Sequence, residues 1–225
     1  RVIGGLLQGR PANRLGAEEL LAMLGARPSK ASTPMALVGR DVELRELRSR
    51  WRRVCAGVPS LVVLGGEPGV GKTELVRAFG DELAPGGEGA AVVWTSCYES
   101  EAVPYKTVDA LVEGLVELLL RDPARCARAR ELPGLGRLAQ VAPALSAILE
   151  EPSGKSGELS GSRGEGLARL VSLVSERAPL LLVIDDAQWG DADSADLLAP
   201  LLTSPSLREV MIAFTVRTRE WESAP

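Results

Sequence analysis

The chain has 225 residues, enough for one α/β core or for one domain plus a fragment. Its 45% apolar content suits a globular protein, and a net charge of −4 leaves no basic footprint for nucleic acid. Histidine is absent, which excludes histidine-dependent triads, metal sites and phosphorelays. No apolar run approaches the roughly 18 residues that span a bilayer, and Arg1 to Arg10 lacks the apolar core of a signal peptide. Cys55, Cys97 and Cys126 are odd in number and have no metal-site spacing, so they read as reduced thiols of a cytoplasmic protein. The chain does not open on methionine, which reads as a processed start or as a piece of something longer.

Residues 1–25 read as a short helical leader, with Leu20, Leu21 and Leu24 on one face of a helix over 17–24. Its pattern, Leu6-Leu7, then Pro11-Ala12-Asn13-Arg14-Leu15 and Glu19 to Leu24, resembles the last helices of bacterial Ser/Thr protein kinases. An arbitrary amphipathic leader is the alternative. Residues 26–34 hold two prolines, three hydroxyl residues and no large apolar residue, and read as a linker. Residues 35–225 then form the main domain. Asp41 is placed to cap a helix that carries Leu44, Leu47, Trp51 and Val54 at helical spacing, and Pro59-Ser60 ends it.

Leu61 to Leu64 is an apolar strand that runs into Gly66-Glu67-Pro68-Gly69-Val70-Gly71-Lys72-Thr73, which fits G-x-x-x-x-G-K-[ST], the phosphate-binding P-loop. The glycines permit backbone angles that a Cβ forbids, so that successive N–H groups can face phosphate oxygens. The following helix adds its positive end. Lys72 supplies a point charge for the β- and γ-phosphates of ATP or ADP, and Thr73 a hydroxyl ligand for Mg²⁺. The chain has only four lysines, so a Gly-Lys-Thr at this spacing is a poor candidate for a chance turn.

The helix from Lys72 to about Leu83 turns Leu75, Val76, Phe79 and Leu83 inward and stops at Pro85-Gly86-Gly87. A strand over 90–97 follows, then a helix from Pro104-Tyr105 through Leu120. Arg121 to Arg130 reads as a solvated basic turn, Leu138, Val141, Leu145 and Ile148 as one more helix, and 151–166 as a Gly/Ser-rich loop. After a helix over 166–177 comes Leu180-Leu181-Leu182-Val183-Ile184-Asp185-Asp186. Five consecutive apolar residues suit a central parallel strand. The two carboxylates stand at its C-terminal end, where open α/β sheets place ligands. With a P-loop in the same chain, this reads as the acidic Mg²⁺ site, Walker B. Leu197 and Leu198 lie in a short helix that Pro200 kinks or ends, and residues 209–216 form the last strand, with Arg217 at its end.

Alternation of strand and helix implies an α/β fold of three layers, a mostly parallel sheet between helices. The motifs Val38-Gly39-Arg40-Asp41-x-Glu43-Leu44-x-x-Leu47, the P-loop, Pro104-Tyr105, Asp185-Asp186-Ala187-Gln188-Trp189-x-Asp191 and the strand ending in Arg217 together resemble the AAA-type ATPase module of STAND proteins, multidomain signalling ATPases. The resemblance implies that Val38, Gly39 and Arg40 lie against adenine. It implies that Lys72 and Thr73 hold phosphate and Mg²⁺, and that Asp185 organises the metal. Asp186 falls where AAA+ motors carry a catalytic glutamate; one methylene shorter, it fits a slow switch. Arg217 matches the arginine that senses the γ-phosphate. A local cap or salt bridge for Arg40 and a plain surface position for Arg217 are the alternatives.

The family also has a fifth strand and a helical lid after the sensor strand. Eight residues follow Arg217, so the resemblance implies a core truncated at its C-terminus with the lid missing. Weak nucleotide binding, negligible turnover and self-association through an uncovered edge beside the P-loop strand are then expected. The functional expectation is an ATP-binding, slowly hydrolysing switch in signalling or transcriptional regulation, with other protein domains as partners and no direct contact with nucleic acid or membrane. The alternative is a non-catalytic nucleotide-binding scaffold or a truncated remnant of a kinase–ATPase fusion.

Overall fold

The computed structural model describes residues 39–83, 89–99, 103–149, 161–204 and 207–218. The chain divides into two units, Arg1–Ala36 and Leu37–Pro225. The leader, the linker, Val38 and residues 150–160 of the Gly/Ser-rich loop lie outside the described residues.

Helix α1 (Asp41–Cys55) buries the four residues set at helical spacing, Leu44, Leu47, Trp51 and Val54. Asp41 does not cap it. Arg40 is the N-cap residue and makes no side-chain cap bond. Asp41 is the first helical residue, where its charge complements the positive helix end. Strand β1 (Ser60–Gly66) leads through the P-loop into α2 (Lys72–Leu83), which buries Leu75, Val76 and Phe79. Trp51 meets Phe79 edge to face at 6.2 Å and joins the two helices. Strand β2 (Ala91–Ser96), α3 (Lys106–Leu120), α4 (Pro123–Arg130), the single turn α5 (Leu135–Leu138) and α6 (Arg163–Ser175) follow. The chain then forms β3 (Leu180–Asp185), α7 (Ala192–Thr203) and β4 (Val210–Arg217).

The sheet order is β1-β4-β3-β2, parallel throughout. β3 is buried along its whole length. Its side chains alternate: Leu181 and Val183 join the α1–α2 layer, while Leu180, Leu182 and Ile184 join the layer of α3 to α7. That double burial is why its apolar residues run without a break. Among the described residues β1 is a sheet edge beside β4. Val62 and Leu64 pack against the α1–α2 layer. Leu61 and Val63, which point to the opposite face, are 46% and 52% exposed.

Four local expectations are corrected. The basic segment is not a turn but α4, because Asp122 caps it through Arg125 N–H, Pro123 suits its first turn, and Ala129 is fully buried. The single helix expected over 138–148 is instead α5 and a 3₁₀ turn, Pro143–Ala147. A proline lacks the N–H that helix continuation needs, so it restarts the chain there. α6 begins at Arg163 rather than Gly166, because the Ser162 hydroxyl caps it by accepting from Glu165 N–H. α7 runs on past Pro200 to Thr203.

The contact between α6 and the turn before α5 is backbone against backbone. Gly134 has φ +87, and a Cβ at Gly166 would stand 2.6 Å from the Gly134 carbonyl. Gly166→Ala should destabilise the fold by about 1–3 kcal/mol, because no flexible side chain can yield there. Thermal unfolding checks this; an unchanged midpoint would contradict the packing described.

Candidate functional site

The P-loop closes on itself through its lysine. Lys72 Nζ donates to the carbonyls of Gly66 at 2.9 Å and Glu67 at 3.0 Å. Gly69 and Gly71 take φ of +79 and +86, the left-handed region that leaves N–H groups free to turn inward. A Cβ on Gly66 would meet Val70 Cγ2 at 3.0 Å. Glu67, Pro68, Gly69 and Val70 form the exposed crest of the loop. Arg40 reaches across from the start of α1: Nη2 donates to the Val70 carbonyl at 2.6 Å and Nη1 to Glu43 Oε1 at 2.6 Å. Arg40 thus makes a local salt bridge and also bonds the crest of the P-loop. Gly39 precedes it with φ +76.

The two halves of the expected metal site meet. Thr73 Oγ1 donates to Asp185 Oδ1 at 3.0 Å, joining the start of α2 to the tip of β3. Hard oxygen ligands of this kind suit Mg²⁺, which takes one or two protein oxygens and completes its octahedron with phosphate and water. The residues present therefore fit the ion.

Asp186 follows Asp185 with φ 52 and ψ 45. This left-handed conformation is uncommon for a non-glycine residue, and aspartate adopts it more readily than glutamate does. The turn turns the Asp186 carboxylate toward β4. Gln188 Nε2 donates to its Oδ1 at 3.0 Å, and Arg217 Nε lies 3.7 Å from the same oxygen. The Arg217 guanidinium also stacks over Trp189 at 5.7 Å. Arg217 is therefore no plain surface residue. Its pairing with Gly66 in the β1–β4 register sets it beside the first glycine of the P-loop.

Sequence reasoning missed Thr215. It is fully buried, donates its hydroxyl proton to Asp185 Oδ1, and accepts the Asp186 N–H at 2.8 Å. One hydroxyl thus holds the Asp185 carboxylate and the Asp186 main chain. The available signal was a lone polar residue near the end of an apolar strand, two positions before Arg217. Asp191 and Ser194 also went without a role. Tyr105, at φ 63, precedes α3 and offers no side-chain cap. The first N–H groups of α3 are instead met from the loop after β3 and the first turn of α7. Asp191 accepts from Tyr105 N–H at 2.8 Å and Thr107 N–H at 3.2 Å, and Ser194 Oγ accepts from Val108 N–H at 3.1 Å. The Asp191 carboxylate also caps α7 through Ser194 N–H at 2.7 Å. Burial alone would raise the Asp191 carboxyl, but these bonds outweigh it and hold the group below the usual carboxylate range. Burial pushes the neighbouring Cys97 thiol up, against the pull of its contact with the Thr107 hydroxyl. Cys97 itself packs in the core on the α3–α7 side of the sheet.

A phosphate cradle, a joined hydroxyl–carboxylate pair and an arginine at the next strand tip meet at the C-terminal ends of three adjacent parallel strands. Comparison with known families decides which group shares this layout: the AAA ATPase domain matches residues 36–213. The chain belongs to the AAA ATPase domain family. This AAA domain is a P-loop nucleotide-binding module of α/β architecture. No curated protein matches it. Among solved structures it is similar to the Walker-type ATPase PABY2304 of Pyrococcus abyssi, with 18% identity and a TM-score of 0.46. The similarity covers 79% of this chain and 44% of that one, so the AAA domain spans less than half the length of that protein.

Proposed function

We propose that residues 35–225 bind ATP and ADP with Mg²⁺ and act as a slowly hydrolysing nucleotide switch in signalling or transcriptional regulation, of the kind found in STAND proteins. The observation that carries this reading is the contact of Thr73 Oγ1 with Asp185 Oδ1, which brings the P-loop hydroxyl to the Walker B carboxylate. Gly39 and Arg40 contribute to the adenine side, with Val38 next to them in sequence. Residues Gly66 to Gly71 wrap the phosphates with backbone N–H groups, and Lys72 Nζ leaves the loop carbonyls for the β- and γ-oxygens. Bound Mg²⁺ would neutralise charge developing on the β–γ bridge. Asp186 orients the attacking water, and Arg217 reads the γ-phosphate.

The rival reading, a nucleotide-binding scaffold without turnover, is favoured by one feature: the Asp186 carboxylate is already engaged by Gln188 and Arg217. Asp185→Asn and Asp186→Asn separate the two readings. Loss of Asp185 should weaken the Mg²⁺ dependence of ATP binding. Loss of Asp186 should leave affinity within about threefold and lower only phosphate release, by about tenfold to a hundredfold. Equal loss of ATP affinity in both variants would show the two roles to be wrongly assigned, and Mg²⁺-dependent turnover untouched by Asp186→Asn would remove Asp186 from the chemistry. Reduced cysteines and the absence, among the described residues, of any helix long and apolar enough to cross a membrane accord with a proposed cytoplasmic location. Partner domains or a second copy would meet the β1 edge.

A further inference from the structure

We propose that Gln188 is a positioning residue that sets both the γ-phosphate sensor and the water-orienting carboxylate; this rests on the nucleotide reading above. The β3–β4 ladder ends at the pair Ile184 and Phe214, yet β4 runs on to Arg217. Over those last residues side chains replace the missing strand. Thr215 Oγ1 serves Asp185 and Asp186, and Gln188 Oε1 accepts the Arg217 N–H at 3.0 Å. The other end of the same amide donates from Nε2 to Asp186 Oδ1 at 3.0 Å.

The amide orientation follows from its partners. A backbone N–H can only donate and a carboxylate can only accept, so Oε1 must face Arg217 and Nε2 must face Asp186. Few side chains carry a donor and an acceptor at this separation, so the bridge needs an amide. Its effect is twofold. It fixes the main chain from which the Arg217 guanidinium reaches the γ-phosphate. It also holds Oδ1 of Asp186, leaving Oδ2 for the water. Trp189, the next residue, supplies the face on which the guanidinium rests. Binding of a γ-phosphate at one end of this bridge is therefore felt by the carboxylate at the other.

The test measures ADP and ATP affinities and single-turnover phosphate release for the full chain, Gln188→Ala and Gln188→Glu. Gln188→Ala should keep ADP affinity within about threefold and lose about tenfold of its preference for ATP over ADP, the equivalent of one hydrogen bond. Gln188→Glu retains the acceptor for Arg217 but sets a carboxylate against Asp186. It should keep the ATP preference and release phosphate about tenfold more slowly at neutral pH, with the deficit shrinking in acid as the new carboxyl regains a proton. Wild-type preference in Gln188→Ala, or wild-type release in Gln188→Glu, would overturn the proposal. So would parallel loss of ADP and ATP binding, the mark of a merely structural residue. Failure of the nucleotide reading is told apart, because it would show as no binding by the unsubstituted chain.

Discussion

Lys72→Ala lowers ATP affinity by about tenfold to a hundredfold. The ammonium is the one mobile positive group rooted in the P-loop itself, and charge-assisted bonds to phosphate contribute roughly 1.5–3 kcal/mol. In the structure the ammonium donates to the carbonyls of Gly66 and Glu67. Binding exchanges these neutral acceptors for anionic oxygens, and the difference is what the variant loses. The variant keeps its fold, because Lys72 opens α2 and is not part of the core. Titration of a fluorescent ATP analogue reads the change. Equal affinity in variant and wild type would sink the P-loop assignment.

Asp191→Ala destabilises the fold by about 3 kcal/mol, a fall in melting midpoint of roughly 6–12 °C. The carboxylate serves the N-termini of two helices at once, accepting from Tyr105 and Thr107 at α3 and from Ser194 at α7. Truncation orphans those N–H groups inside the α3–α7 layer. The pH dependence has a definite sign. The folded-state carboxyl lies below its ordinary value of 3.8, so its contribution is fully present above that value. It is lost as the pH falls through the lower folded-state value. As the pH falls below 3.8, wild type should therefore lose more stability than Asp191→Ala. Parallel acid profiles for the two proteins would contradict this.

Much of the site was legible because its chemistry demands rare residue types at fixed spacing. Gly66 to Thr73 could be read from one strand, one turn and one helix start, all contiguous in sequence. Asp185 could be read from the unbroken apolar run before it, which two-sided burial of β3 explains. What escaped was non-local. Thr215 serves Asp185 from a strand 30 residues away, and a lone threonine in a strand carries no mark of that partner. Asp191 caps α3 from 86 residues downstream of Tyr105, so the missing N-cap at α3 and the surplus carboxylate after β3 each looked unremarkable alone. The α5 region failed for the opposite reason. Apolar residues at helical spacing over 138–148 were real, and all but Val141 are fully buried, but Pro143 breaks the hydrogen-bond ladder that the spacing implied.

Nucleotide binding through a P-loop completed by a metal is the property on which the other expected results rest. Equilibrium titration of the 225-residue chain with ATP, in Mg²⁺ and again in excess chelator, tests it most directly. Saturable one-to-one binding is expected, which ADP competes away and which weakens when the metal is removed, because Thr73 and Asp185 then lose the ion they are placed to share. Absence of saturable binding up to millimolar ATP, or binding that chelation leaves unchanged, would contradict it.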